Sequence, residues 1–156
     1  NIRVRQLYSS EVPPDDQIKA TVMNILRWDS SVDSSDILIS VENGVVTVDG
    51  SVPAFWQKVR VEELLTEVNG VVMLHNRLTV VPSRHYVDEL IARDIVVALD
   101  RNALVNVNNI EVQVNDGKVV LSGNVESYSA FKSAEYIVKN TDGVIDFVNN
   151  IIIVPL

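Results

Sequence analysis

The apolar residues of this chain switch between two periods. Ile18, Val22, Ile25 and Leu26 recur at helical spacing and predict an amphipathic helix over residues 15–28. Pro13-Pro14 stop what precedes it, and Asp15 or Asp16 is placed to cap the free amides. From 37 to 42 the period drops to two: Ile37, Ile39 and Val41 point one way, Leu38, Ser40 and Glu42 the other. Asn43-Gly44 supplies two residues that tolerate positive φ, so a hairpin is expected, with the chain returning over 45–49. Gly50 allows a bend or close backbone packing. A second helix is expected over 54–68, with Val61, Leu64, Leu65 and Val68 inward and Asn69-Gly70 ending it. A third strand follows over 71–81, closed by Pro82.

The pattern then recurs. A shift of about 73 residues lays the second half on the first without a gap. Asp15 meets Asp88, Ile18 meets Ile91, Leu26 meets Leu99, and Asn43-Gly44 meets Asp116-Gly117. Gly50 meets Gly123, Asn69-Gly70-Val71 meets Asp142-Gly143-Val144, and Asn76 meets Asn149. The second copy therefore predicts a helix over 88–100, strands over 110–115 and 118–122, a helix over 127–141 and a strand over 144–154. Residues 15–82 form repeat one, 83–87 a linker and 88–156 repeat two. Residues 1–14 are an added N-terminal strand or the remnant of a preceding copy, since Asn1-Ile2-Arg3-Val4 resembles the end of a repeat.

A helix between the second and third strands implies a right-handed crossover that leaves those strands parallel. The first strand is then antiparallel to the second. The fold class is α/β (α+β): two tandem repeats, each with a three-stranded mixed sheet covered by two helices on one face. Gly44, Gly50 and Gly70, with Gly117, Gly123 and Gly143, are the expected fold-determining turns.

Composition narrows the function. The net charge of −8 gives no basic face to replace the counterions of a nucleic acid, and no general attraction to anionic lipid. No apolar run reaches the length of a membrane span. The absence of cysteine excludes a disulfide scaffold, a thiolate metal site and a cysteine nucleophile. The chain begins with Asn, as a processed or trimmed chain would.

Chemistry is sparse. His75 and His85 are isolated, with no partners at metal or acid–base spacing. Glu62, Glu63 and Glu67 read as a solvated helix face, and each glycine stands alone at a turn rather than in a phosphate loop. Catalytic residues, metal ligands, cofactors and a small-molecule substrate are all expected to be absent.

The functional lead lies where the copies differ. Leu90 and Val97 add an apolar flank to the first helix of repeat two, where repeat one has Gln17 and Asn24. That flank packs against repeat one or meets a partner; Asp94 between the two disfavours an anionic surface. In repeat one, Phe55, Trp56 and Val59 fall opposite the inward stripe, with Lys58 and Arg60 close by. Aromatic rings with flanking cations suit a membrane interface, or else an interdomain contact.

The run Asp-x-x-Ile, then Val-x-Val-x-Asn-Gly-x-Val-x-Val-x-Gly-x-Val, then Asn-Gly-Val and Asn-x-Leu-x-Val resembles the BON domain, over both repeats. The resemblance implies a periplasmic, non-catalytic module that associates with phospholipid surfaces or envelope proteins in osmotic or envelope stress protection. The alternative it leaves open is a protein–protein assembly module of a transport-associated or secretion complex.

Overall fold

A computed structural model describes residues 12–156. Residues 1–11, which carry most of the expected N-terminal strand or repeat remnant, lie outside the described residues. Repeat one comprises α1 (Asp15–Trp28), β1 (Ile37–Glu42), β2 (Val45–Val52), α2 (Phe55–Thr66), β3 (Met73–Asn76) and β4 (Thr79–Val80). Repeat two comprises α3 (Asp88–Arg101), β5 (Ile110–Asn115), β6 (Lys118–Val125), α4 (Tyr128–Lys139) and β7 (Asp146–Ile153). A short 3-10 turn, Ser34–Asp36 or Val107–Asn109, leads into the first strand of each repeat.

Both sheets are mixed, as the crossover argument requires. β1 pairs antiparallel with β2, with Ile37 opposite Gly50, and β2 pairs parallel with β3, with Val46 opposite Leu74. β5 and β6 repeat the antiparallel pair, with Ile110 opposite Gly123. β6 and β7 repeat the parallel one, with Val119 opposite Phe147. The second strand of each repeat, β2 or β6, therefore lies in the middle.

Each repeat has its own apolar core. Ile18, Val22 and Leu26 of α1 are buried, as are Val46 and Val48 of β2 and Val61 and Leu65 of α2. In repeat two, Ile91, Ile95 and Leu99 pack with Val119, Leu121, Ala130, Ala134, Val138 and Ile151. Burying one such aliphatic side chain stabilises by about 1.5–3 kcal/mol. Alternation leaves the other sheet face exposed: Leu38 is 72% accessible and Ile152 62%. Among the described residues, no polar or charged residue is buried.

The structure departs from the sequence expectations in three ways. The middle strands run three residues further than 49 and 122, to Val52 and Val125. Positive φ at Gly50 and Gly123 (127° and 118°) does not end them. The glycines instead admit a neighbour, since a Cβ there would lie 2.0 Å from the carbonyl oxygen of Asp36 or Asn109.

The third strand of repeat one is broken rather than continuous over 71–81. The Asn76 amide donates to the Lys58 carbonyl at 2.8 Å and its Oδ1 accepts from Leu78 N at 3.3 Å, turning the chain between β3 and β4. Leu78 falls into the core. Asn149 makes the equivalent contact to Ile151 N at 3.1 Å, yet β7 runs on unbroken for eight residues.

Finally, neither Asp15 nor Asp16 caps α1: Pro14 occupies the cap position without a side-chain bond. Asp15 reaches across to the hairpin instead. Its carboxylate accepts Asn43 N at 2.8 Å and Gly44 N at 3.0 Å. Asp88 does the same for Asp116 N (2.8 Å) and Gly117 N (2.9 Å). A carboxylate on two successive amides forms charge-assisted bonds that pin the first turn of the helix to the β-hairpin.

Candidate functional site

The aromatic–cationic set of repeat one does not make one free patch. Phe55 is half-buried, as are Lys58 and Val59, and Trp56 is 36% accessible. Arg60 is committed: its Nε and one terminal nitrogen reach the same Asp29 oxygen, at 3.2 and 3.1 Å. Asp29 also accepts Ser31 N at 2.9 Å and a short bond from the Ser31 hydroxyl. These Ser31 bonds, and then Arg60, hold the Asp29 carboxyl below the usual carboxylate range against a smaller opposing effect of burial. Gln57 adds a bond from Nε2 to the Ser31 carbonyl at 3.0 Å. The cation expected to face a membrane is thus an internal tie between α2 and the loop after α1.

Repeat two lacks that tie, and a groove opens in its place. Asp29 and Arg60 correspond to Asn102 and Ser133, and Ile25 to the smaller Ala98. No carboxylate–guanidinium pair can form from those residues. Between α3 and α4 lies an open groove of about 590 Å³, lined by Ala98, Arg101, Asn102, Lys132, Ser133, Tyr136 and Ile137. Ala98 and Ile137 give it an apolar floor. Arg101 stands where repeat one has Trp28, and Lys132 where it has Val59. Tyr136 projects at the rim, 69% accessible.

On α3, Leu90, Val97 and Arg101 fall at seven- and four-residue intervals, so the apolar flank leads into the cationic end of the groove. Leu90 is half-buried and Val97 41% accessible, with exposed Asp94 between them. On α4, Glu135 bonds Lys132 at 2.8 Å and Lys139 at 3.4 Å. Partial burial pushes the Glu135 carboxyl up, but Lys132, Lys139 and Asn149 together outweigh it and hold it below the ordinary value.

The groove was legible only as a difference between copies. The polar-to-apolar change at Leu90 and Val97 lies on α3, one of the two helices that line it. The paired loss of Asp29 and Arg60 was present in the same alignment of halves, but only their proximity in space gives it meaning.

No assembled chemistry accompanies these surfaces. His75 and His85 are both exposed. Among the described residues, no group of three or more His, Cys, Asp or Glu side chains could hold a metal ion. Among them too, no helix is long and apolar enough to cross a membrane.

The sequence profile of the BON domain matches residues 14–82 and again 87–155, which together take in nearly the whole chain. The chain belongs to the BON domain family. The two matched segments coincide with the two helix–strand–strand–helix–strand repeats, each with its aspartate clamp. Osmotically-inducible protein Y of Escherichia coli (strain K12) is 29% identical over 136 residues, which cover 83% of this chain and 68% of that protein. A solved structure of CdsD, a structural protein of the type III secretion system of Chlamydia trachomatis, aligns at 14% identity with a TM-score of 0.35. That alignment covers 88% of this chain, which spans only 61% of the CdsD chain. Membership of the family, the tandem repeat and the osmotically inducible relative support an envelope stress-related, non-catalytic module.

Proposed function

We propose that this tandem BON protein is a non-catalytic module of the periplasm that associates with phospholipid surfaces through the helical face of its second repeat. The observation that carries this reading is the groove between α3 and α4. It pairs an apolar floor with Arg101 and Lys132 at its rim, on a face that repeat one closes with an ion pair. Apolar side chains flanked by snorkelling cations suit the boundary between headgroups and acyl chains. Val97 and Tyr136 supply exposed apolar area on the same two helices. The osmotically inducible relative supports a role in envelope stress.

Co-sedimentation with vesicles of neutral and anionic phospholipid tests the reading. The wild-type protein is expected to sediment with anionic vesicles, and V97S/K132E to remain in the supernatant with an unchanged circular dichroism spectrum. Trp56 is itself exposed, at the start of α2. Loss of binding in F55S/W56S, with V97S/K132E unaffected, moves the contact there. Failure of the wild type to bind either vesicle overturns the lipid reading in favour of an envelope protein as partner, in an assembly module.

A further inference from the structure

The Asn43-Gly44 turn carries a chemical consequence separate from binding. Asn-Gly is the dipeptide most prone to succinimide formation, because glycine leaves its amide nitrogen unhindered beside the preceding side chain. In that reaction the Gly44 nitrogen gives up its proton to base and attacks Asn43 Cγ. The new N–C bond forms, the bond from Cγ to the side-chain nitrogen breaks, and ammonia leaves. Water then opens the ring at either carbonyl, giving aspartate or isoaspartate. One water is consumed and one ammonia released, with no other reactant.

In the folded repeat the attacking group is held. Gly44 N donates to Asp15 Oδ1 at 3.0 Å, and Asn43 N donates to Asp15 Oδ2 at 2.8 Å. A carboxylate on the hydrogen of the nucleophile opposes its removal, since the resulting anion would face a negative charge. Both turn residues sit at positive φ, 51° and 77°, in a hairpin anchored by two paired strands. Swinging the amide nitrogen onto Cγ requires leaving that conformation. The Asn43 residue is itself exposed, so water and base reach it.

We propose that Asn43 is a latent deamidation site that Asp15 keeps shut, and that it opens when α1 lifts from the β1–β2 hairpin. Repeat two shows what one product would look like. Its equivalent turn already has aspartate, Asp116, beneath the Asp88 carboxylate, and keeps the same geometry (φ 50° and 79°). Conversion of Asn43 to aspartate therefore leaves a working turn. Conversion to isoaspartate adds a methylene to the backbone and breaks the register in which Glu42 faces Val45. In the opened chain only the Asn43 turn would lose ammonia; the Asp116 turn, already an aspartate, can form the same succinimide only by the slower loss of water.

The test is peptide mapping by mass spectrometry of the whole chain after incubation in warm, mildly alkaline buffer, folded and in urea. Asn43 in the folded wild type is expected to deamidate at least about tenfold more slowly than in the unfolded chain, as charge-assisted hydrogen bonds warrant. D15A should recover most of that difference, and D88A should leave Asn43 unchanged. Should D15A not fold, D15N keeps the shape and removes the charge, and it should still deamidate several-fold faster at Asn43 than wild type. Equal rates at Asn43 in folded and unfolded wild type would overturn the proposal. So would a folded D15N or D15A that deamidates no faster than wild type.

Discussion

Gly44 and Gly50 are both at positive φ, yet they are needed for different reasons. Gly44 closes a tight hairpin in which both central residues are left-handed, at 51° and 77°, the arrangement that matches strand twist. A methyl group there meets the Gly70 carbonyl oxygen and Val72 Cγ2 at 2.9 Å. The side chain of Val72 can give way; a backbone oxygen gives less. Gly50 has no such latitude, because its Cβ would lie 2.0 Å from the Asp36 carbonyl oxygen. G44A is therefore expected to destabilise by about 1–2 kcal/mol, the usual left-handed penalty. G50A should cost more, about 3 kcal/mol or beyond, because the 3-10 turn must move as well. Urea unfolding of the two variants checks the order, and equal losses would mean the Asp36 contact is readily relieved. The hairpin turns were legible from Asn43-Gly44 and Asp116-Gly117 alone. The role of Asp15 was not: propensity places an acid at a helix start as a cap, and nothing local reveals a turn 28 residues away as its partner.

Periodicity located the four α-helices and the paired strands of both repeats, because one face of each is more apolar than the other. It misjudged what side chains do across space. The third strand of repeat one reads as continuous, yet it breaks after Asn76, whose amide donates to the Lys58 carbonyl where Asn149 reaches the Glu135 side chain instead. Likewise Arg60 reads as a free cation on α2, and only the fold brings Asp29 to it. The tie from α2 to the loop after α1 has a pH signature. Asp29 has a folded pKa below its unfolded value, so its contribution is complete above the ordinary carboxyl range. It is lost as pH falls through the folded pKa. D29N should thus be less stable than wild type at neutral pH, and the gap should close below about pH 4. Chemical denaturation at neutral and acid pH measures it. A gap that persists at low pH would assign the loss to packing rather than to the charge.

The two repeats share a fold and differ in surface. Both copies retain the clamp, the turns and the mixed sheet, so these features carry stability. The Asp29–Arg60 pair that ties α2 to the loop after α1 is absent from repeat two, which has Asn102 and Ser133 there and an apolar groove flanked by Arg101 and Lys132. The rest of the molecule opposes an anionic partner, with a net charge of −8. A negatively charged membrane would therefore be met by a few exposed cations against a repelling background. Lys132 is already shared with Glu135 at 2.8 Å, which weakens its reach further. Contacts of this kind are screened over about 8 Å at physiological salt. Binding to anionic vesicles should accordingly be weak, and should fall as salt rises from low to well above physiological strength. Charge reversal in R101E/K132E should abolish the salt-sensitive part and leave any apolar adsorption to neutral vesicles unchanged. Sedimentation across a salt series decides the matter. Affinity that grows with salt would show that long-range repulsion governs the encounter and that the cations at the groove contribute little.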